Sequence, residues 1–245
     1  MSKSIIIIPS RLSATRLPNK PLIKVNNKSL IMHVYEKSLK SEIGEVYVAT
    51  CDEEIADEVS RNGGKYIMTN SSHTNGTERV YEASQKLNLN ELDLIVNVQG
   101  DEPMINPADI KNLHNLSKEK DLNISTLAYN ITNINDYKNQ NIVKVVTKNK
   151  ISIKRAVEAL NFHRFIDFNN NSNIYHHFGI YLFKFSALKE FVSLQKSKNE
   201  IIENLEQLRA IDNNMIINVI LANSFSCGID TKEDLEEYIK LVNKQ

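Results

Sequence analysis

Residues 5–11 read Ile5-Ile6-Ile7-Ile8-Pro9-Ser10-Arg11, and this stretch decides the fold class. An unbroken β-branched run that ends at a proline is typical of a strand buried on both faces of a parallel sheet. A strand of that kind needs helices on each side to cover it. The sequence therefore predicts an α/β fold in which residues 5–8 form a fully buried strand of a parallel sheet.

Strands and helices alternate through the first half of the chain. Further strands are predicted at 45–50, 65–68 and 93–98, with helices at 30–38, 53–62 and 77–87. Such alternation implies right-handed βαβ units, and ligands bind beyond the carboxyl ends of their strands. We expect a three-layer, Rossmann-like arrangement with a mixed but mostly parallel sheet.

The second half is less regular. Its predicted strands are 123–129, 142–147 and 216–221; its predicted helices are 187–194, 201–211 and 234–244; residues 163–173 form an asparagine-rich loop. No linker or sharp change in composition divides the chain. We therefore expect a single domain over residues 1–245.

The overall charge excludes some classes of partner. The chain has 245 residues, with 30 Lys and Arg balancing 30 Asp and Glu. A neutral balance provides no electrostatic footprint for nucleic acid or an anionic membrane. Cys51 and Cys227 are far apart in sequence, which suits a reducing compartment without disulfides. The apolar run before Pro9 is too short for a signal peptide, so we expect a cytoplasmic protein without membrane insertion.

A cationic loop follows the first strand directly. Its cations are Arg11, Arg16 and Lys20, and its hydroxyls are Ser10, Ser13 and Thr15. Arginine binds phosphate through two parallel hydrogen bonds and lysine as a point charge, so the loop suits a triphosphate. It matches neither the P-loop nor the dinucleotide-binding pattern. The alternative interpretation is a solvated basic loop.

Two aspartates are candidate metal ligands. Asp101 lies in Gln99-Gly100-Asp101-Glu102-Pro103, where a glycine after a buried strand lets a ligand approach the backbone. Carboxylate oxygens at such a position bind Mg²⁺. Asp230, in Gly228-Ile229-Asp230-Thr231, could supply a second carboxylate. The alternatives are a turn or cap at Asp101 and a helix N-cap at Asp230.

Three further patterns are weaker. Gly76 and Arg79 could admit a ligand and meet an anion, although a turn before a capped helix has the same residues. His177 precedes an apolar run, where histidine is more often packed than functional. Glu206 and Arg209 have the spacing of a surface pair on a helix.

Taken in order, these segments resemble the 3-deoxy-manno-octulosonate cytidylyltransferases, or CMP-Kdo synthetases. The resemblance covers nearly the whole chain. Its most specific parts are residues 7–22 and 97–103, and it continues at 48–50, 76–79, 143–146, 179–181, 205–209 and 228–231.

The resemblance implies a nucleotidyltransferase fold and transfer of CMP from CTP to Kdo for lipopolysaccharide synthesis. It implies a homodimer, with residues 125–190 as the dimerisation and sugar-pocket subregion. The CTP site would comprise Pro9, Ser10, Arg11, Lys20, Thr74 and Gly76. Catalysis would use Lys20, Asp101 and Arg16, and Mg²⁺ would bind Asp101 and Asp230. The sugar pocket would contain Arg79, Gln99, Arg155, His177, Tyr181 and Glu206.

The chain also departs from the family pattern. Cys51 stands where the family usually has aspartate, and Asn75 where it usually has serine. The family's Phe-Ser-Arg-x-x-Ile-Pro segment is matched to residues 153–159, where only Arg155 remains. Two alternatives therefore stay open: a cytidylyltransferase for another acidic sugar, and a nucleotide-binding paralogue without turnover. The paired carboxylates argue against the second.

Overall fold

The computed structural model describes residues 2–13, 17–166 and 173–243. Its strands are β1 (Ser4–Pro9), β2 (Lys24–Val25), β3 (Lys28–Ser29), β4 (Glu45–Thr50), β5 (Tyr66–Met68), β6 (Leu94–Asn97), β7 (Ile124–Asn130), β8 (Lys144–Thr147), β9 (Val157–His163), β10 (Asn173–Lys184) and β11 (Ile217–Leu221). Its α-helices are α1 (Leu30–Leu39), α2 (Glu53–Arg61), α3 (Gly76–Lys86), α4 (Pro107–Glu119), α5 (Phe185–Ser193), α6 (Lys198–Glu203), α7 (Leu208–Asp212) and α8 (Lys232–Val242). None of these helices combines the length and apolar character needed to cross a membrane.

Nine of the described strands form one mixed sheet in the order β5-β4-β1-β6-β10-β7-β11-β9-β8. The pairs β5–β4, β4–β1, β1–β6 and β7–β11 are parallel, and the remaining neighbours are antiparallel. Among the described strands of this sheet, β9 and β10 run against the direction that the others share. The expected mixed sheet is therefore confirmed.

The isoleucine run of β1 packs on both faces of the sheet. Ile5 and Ile7 lie in a hydrophobic cluster with residues of α3 and α5. Ile6 and Ile8 lie in a second cluster with residues of α1, α2 and α4. Each of the four is at most 5% exposed, and burying a side chain of this size contributes about 2 kcal/mol. The helices thus form layers on each side of the sheet, as the sequence predicted.

The parallel strands β4, β1 and β6 end at the same edge of the sheet. Pro9 of β1 pairs with Ala49 of β4, and Ile7 pairs with Asn97 at the end of β6. Three chain segments therefore leave the sheet side by side: the loop after Pro9, the turn at Cys51 and the turn that begins at Gln99. Ligands of α/β proteins bind at this kind of edge.

A third hydrophobic cluster joins the beginning of the chain to α8. Leu17, Val25 and Leu30 pack there with Ile229 and Tyr238. This cluster holds the loop after β1 against the segment that contains Asp230. Two parts of the chain that are distant in sequence are thereby fixed over the same edge of the sheet.

Some predicted elements differ from the structure. The helix predicted at 201–211 is two short helices, α6 and α7, because Asn204 takes a left-handed conformation with φ of 51° and ends α6. Helix α4 was not predicted, although Asn106 caps it and Pro107 begins it, as is common at helix starts. In the predicted 163–173 loop, His163 ends β9 and Asn173 begins β10, and residues 167–172 lie outside the described residues.

A buried lysine fastens the loop before β8. Lys144 is fully buried, and its Nζ donates hydrogen bonds to the carbonyl oxygens of Asn139 at 2.7 Å, Ile142 at 2.8 Å and Arg164 at 2.6 Å. Replacing this ammonium with an apolar group would leave three carbonyls without their donor.

We therefore predict that Lys144→Met lowers the free energy of unfolding by about 3 kcal/mol, because buried acceptors would lose a charged donor. Urea denaturation measures the change. The matched control is Lys148→Met, whose side chain is 63% exposed and pairs with Glu158 on the surface; its effect should stay within about 0.5 kcal/mol. Equal effects of the two substitutions would contradict the role assigned to Lys144.

Candidate active site

A cleft of about 350 Å³ opens at the carboxyl edge of β1, β4 and β6. Its described lining residues are Pro9, Ser10, Arg11, Ser13, Leu17, Lys20, Pro21, His73, Asn75, Gly76, Arg79, Gln99, Gly100, Asp101 and Asp230. Most of the predicted nucleotide and metal residues are therefore brought together in one place. Arg16 lies outside the described residues.

Lys20 and the two predicted metal ligands form a charge cluster in this cleft. Lys20 Nζ lies 2.7 Å from Asp101 Oδ2 and 3.0 Å from Asp230 Oδ1. Burial opposes the charged ammonium, but attraction and hydrogen bonds from Asp101 and Asp230 outweigh it and raise the pKa of Lys20. The lysine thus remains a cation, and the two carboxylates converge on one point.

Local backbone structure positions each member of the cluster. Lys20 begins a short 3₁₀ turn, Lys20–Leu22, after Asn19 adopts a left-handed conformation. Ile229 N donates to Asp101 O at 2.8 Å, which ties the segment before α8 to the turn after β6. The N-cap of α8 is Thr231. The N-cap alternative for Asp230 is therefore wrong, and its carboxylate faces Lys20.

The turn after β6 presents Asp101 to the cleft. Glu102 N donates to Gln99 O at 3.2 Å, so residues 99–102 do form a turn. Gly100 is needed there because an added Cβ would lie 2.9 Å from the carbonyl oxygen of Pro9. The glycine lets two strand ends approach each other, rather than only a ligand approach the backbone.

The donor set of Asp101 and Asp230 fits a magnesium ion. Both ligands are carboxylates that converge on a single cationic group, Lys20 Nζ. Magnesium is usually held by one or two carboxylates and completes its coordination with water and substrate phosphates. In the described ranges, no cluster of three or more acidic, histidine or cysteine side chains is arranged to hold a metal. A metal at these two aspartates would therefore take its remaining ligands from water and from the substrate.

One of the two single-residue departures, Asn75, has a structural explanation. Asn75 caps α3, since its Oδ1 accepts a hydrogen bond from Glu78 N at 2.8 Å, a role that serine also performs. Asp52, next to Cys51, accepts a hydrogen bond from Leu12 N at 2.8 Å. An aspartate after β4 thus still contacts the cationic loop.

Thr74 is exposed, and its backbone N–H donates a hydrogen bond to Glu78. Thr74 is not among the described residues that line the cleft.

Arg79 lies at the inner wall of the cleft. It is only 3% exposed, and its guanidinium donates to Thr69 Oγ1 and Asn70 O. A buried guanidinium that is already anchored on one side is well oriented to meet an anion on the other. Gln99 lines the same cleft nearby.

A second, smaller cavity lies beside the cleft. Thr77, Tyr181 and Glu206 are among the residues that line it. Thr77 Oγ1 donates to Glu206 Oε2 at 2.8 Å. Burial raises the pKa of Glu206 to about 7. This carboxyl group can therefore exist in either protonation state near neutral pH.

His177 is buried next to this cavity. Its ring is 5.3 Å from that of Tyr181, and its Nε2 lies 2.9 Å from Thr126 Oγ1. Burial lowers the pKa of His177 to about 3, so the ring is neutral. Thr126 donates its own proton to Ile180 O at 2.7 Å, which leaves it to accept the proton of His177 Nε2.

Arg209 is a buried anchor and not the surface residue that its spacing predicted. It is 2% exposed and binds Glu200 through two hydrogen bonds, of 2.9 Å from Nε and 2.6 Å from NH2. Glu206 is farther away, at 3.9 Å from NH2. This ion pair joins α6 to α7 and so supports the connection that carries Glu206.

The structure does not bring Arg155 to the cleft. Arg155 is exposed and closes a turn with Ser152 on the surface. A second arginine, in Phe162-His163-Arg164, has the Phe-x-Arg spacing of the family segment and was missed. Arg164 donates to the carbonyl oxygens of Gln140 at 3.1 Å, Glu203 at 2.9 Å and Asn204 at 3.1 Å. It therefore fixes the end of α6, just before Glu206.

Glu102 is another residue that the sequence did not single out. It is 6% exposed, and its Oε1 accepts a hydrogen bond from Gly179 N at 3.1 Å. Burial, followed by repulsion from Asp101, raises the pKa of Glu102 to about 8, while Gly179 N–H and the Ser226 hydroxyl act in the opposite direction.

The fold and the cleft define a nucleotidyl-transferring enzyme, and comparison with known proteins agrees. A family model described as cytidylyltransferase matches residues 5–217. A putative glucose-1-phosphate thymidylyltransferase structure from Bacillus anthracis shares the fold, with a TM-score of 0.68 at 15% identity, covering 100% of this chain and 96% of that one.

More similar proteins narrow the class. Two curated relatives are 3-deoxy-manno-octulosonate cytidylyltransferases: one from Thermodesulfovibrio yellowstonii, 45% identical over 98% of each chain, and one from Paramagnetospirillum magneticum, 40% identical over 95% of this chain and 94% of the relative. A solved structure of CMP:2-keto-3-deoxy-manno-octonic acid synthetase complexed with CTP has a TM-score of 0.90 at 34% identity and covers 99% of each chain. The chain belongs to the 3-deoxy-manno-octulosonate cytidylyltransferase family.

The raised pKa of Glu102 predicts a pH dependence of stability. Its pKa rises from 4.5 in the unfolded chain to about 8 in the folded one. Between these values the folded protein keeps a proton that the unfolded chain releases, so this residue makes folding less favourable as the pH rises.

We predict that Glu102→Gln becomes progressively more stable relative to the original protein as the pH rises from 4.5 to about 8. Urea denaturation across this range, without added metal or nucleotide, measures the difference. Exposed Glu54→Gln is the control for the chemical change itself. A difference between Glu102→Gln and the original protein that stays constant with pH would contradict the assignment.

Proposed function

We propose that this protein transfers CMP from CTP to the anomeric hydroxyl of Kdo, releases pyrophosphate and thereby supplies lipopolysaccharide synthesis. The observation that carries the proposal is the convergence of Lys20, Asp101 and Asp230 in the cleft at the carboxyl edge of the sheet. Phosphoryl chemistry needs charge neutralisation at such a point, and the family membership specifies which reaction uses it.

The nucleotide would bind across the loop after β1. Ser10 and Arg11 line the cleft beside Gly76, while Pro9 forms the adjoining wall. Lys20 would contact the phosphate chain, because its ammonium remains charged in the cleft. Arg16, a cation of the same loop, would offset charge on the pyrophosphate. Thr74 would act through Glu78 at the start of α3.

Asp101 and Asp230 would hold Mg²⁺. The bound ion would neutralise charge on the triphosphate and lower the pKa of the attacking sugar hydroxyl. The protein side of this arrangement is already ordered: Ile229 N fixes one segment to Asp101 O, and the third hydrophobic cluster fixes both segments to the loop that carries Lys20.

The acidic sugar would extend from the cleft toward the second cavity. Arg79 and Gln99 line the near side, and Tyr181 and Glu206 line the far side. Glu206 would accept or donate a hydrogen bond to a sugar hydroxyl, since its raised pKa allows both protonation states. His177 would orient Tyr181 from behind. Arg164 supports this region through the end of α6, a role that the surface position of Arg155 does not provide.

The anomeric hydroxyl oxygen of the sugar would attack the α-phosphorus of CTP in line with the bond to the leaving pyrophosphate. The protein makes no covalent bond in this scheme, so positioning and electrostatic stabilisation provide the rate enhancement. Lys20 and Arg11 would stabilise the charge that develops on the leaving pyrophosphate. The homodimer, with residues 125–190 in its interface, and the cytoplasmic location are proposed from the family resemblance.

A second candidate is a cytidylyltransferase for a different acidic sugar. The departures between residues 151 and 160 are the reason to retain this alternative, because this segment precedes β10 and its proposed sugar-side residues. Pyrophosphate release with CTP and Mg²⁺ should be measured with Kdo and with other acidic sugars, including sialic acids. We expect the highest kcat/KM with Kdo. A preference for another sugar would select the second candidate, and CTP binding without release would indicate a paralogue that does not turn over.

We predict that Asp101→Asn lowers kcat at least about a hundredfold, because the transition state would lose a metal-binding charge. CTP binding, measured by calorimetry without metal, should persist. The control is Asp57→Asn, which removes only a surface pair with Arg61 and should leave kcat unchanged. Near-normal pyrophosphate release by Asp101→Asn would contradict the proposed role.

A further inference from the structure

Strand β10 contains a bulge between two predicted sugar-side residues. His177 pairs with Ala128 and Tyr181 pairs with Thr126, so β10 uses more residues than β7 over this interval. Bulges of this kind redirect side chains and are common next to active sites. The bulged residues are Phe178, Gly179 and Ile180.

The bulge brings the two aromatic side chains together. Residues four positions apart in a regular strand are separated by about 13 Å along its axis. The ring centroids of His177 and Tyr181 are only 5.3 Å apart. Their closeness therefore depends on the path of the backbone between them.

The bulged backbone is held from two sides. On one side, Thr126 Oγ1 donates to Ile180 O at 2.7 Å and pairs with His177 Nε2. On the other, Gly179 N donates to Glu102 Oε1 at 3.1 Å. Glu102 comes from the turn after β6, 77 residues away in sequence.

The contact between the turn and the bulge is close. A Cβ added to Gly179 would lie 3.1 Å from Glu102 Oε1 and 3.2 Å from Gln99 Cγ. The same short turn therefore carries Gln99 and Asp101 toward the cleft and Glu102 toward the bulge. A change in this turn would affect the metal side and the sugar side together.

We infer that Glu102 is a positioning residue for the acidic-sugar substrate: by accepting the Gly179 N–H it sets the bulge of β10 and so the placement of His177 and Tyr181. This inference rests on the proposed function for the identity of the sugar. Glu102 does not line the cleft among the described residues, so it acts through the backbone and not by touching the substrate.

Two substitutions distinguish the role of the Glu102 oxygen as a hydrogen-bond acceptor from the role of the acidic group. Glu102→Gln retains a side-chain oxygen that can accept the Gly179 N–H, whereas Glu102→Ala removes it. We expect Glu102→Ala to raise the KM for Kdo about tenfold, the usual cost of an unpaired buried donor, with the KM for CTP changed less than about twofold. We expect Glu102→Gln to keep the KM for Kdo within about threefold of the original value.

Two kinetic outcomes would overturn the inference. One is an unchanged KM for Kdo in Glu102→Ala, and the other is a Glu102→Gln enzyme as defective as Glu102→Ala. The second outcome would assign the effect to the carboxyl group itself and not to the oxygen that accepts the Gly179 N–H. If Glu102→Ala fails to fold, Gly179→Ala replaces it, because the added methyl group must displace Glu102 or Gln99. A KM for Kdo that Gly179→Ala leaves unchanged would also overturn the inference.

A measurement without substrate separates this inference from the proposed function. The Nε2 proton of His177, bonded to Thr126, should give a slowly exchanging imidazole signal in the NMR spectrum. Glu102→Ala should shift or lose that signal, and Glu102→Gln should preserve it. If the original protein does not use Kdo but these spectra behave as expected, the function is wrong and the positioning role stands. An unaltered signal in Glu102→Ala would overturn the positioning role itself.

Discussion

The burial of β1 on both faces is the constraint on which the rest of the structure depends. Its isoleucines alternate between two hydrophobic clusters, so helices must cover both sides of the sheet. Parallel pairing with β4 and β6 then forces three segments to leave the sheet at one edge. The cleft forms there because the loop after Pro9 and the turn after Asn97 both begin at this edge. Function follows from the position of this edge.

Opposite charges are paired within the cleft. The chain as a whole is neutral, and in the cleft Lys20 pairs with the carboxylates of both Asp101 and Asp230. Farther inside, burial raises the pKa of Glu102 and of Glu206, and for Glu206 it outweighs the attraction of Arg209 at 3.9 Å. The paired charges at the cleft are thus placed to meet the polar groups of the proposed substrate, while the interior carboxyls can remain neutral and act as hydrogen-bonding groups.

Local patterns made the first half of the fold and the part of the cleft around Lys20 and Asp101 predictable. The isoleucine run, the cationic loop and Asp101 each lie within a few residues of the strand end that positions them. The side of the cleft that is proposed to bind the sugar was harder to predict, because its geometry depends on contacts between distant segments. The bulge at Gly179, the buried pair of Arg209 with Glu200 and the carbonyl contacts of Arg164 leave no periodic signal in the sequence. The match to Arg155 failed for a different reason: the phenylalanine and arginine of the family segment occur farther along the chain, at Phe162 and Arg164.

The joining of distant segments in the third hydrophobic cluster also sets an order of events during synthesis. Lys20 and Asp230 are 210 residues apart in sequence, and contacts of such long range form late in folding. A growing chain can complete β1, β4 and β6 and expose the loop of Lys20 long before Asp230 leaves the ribosome. The part of the cleft that Lys20 and Asp101 line can therefore form before the second carboxylate is made, and the segment just before α8 completes the pair of Asp101 and Asp230.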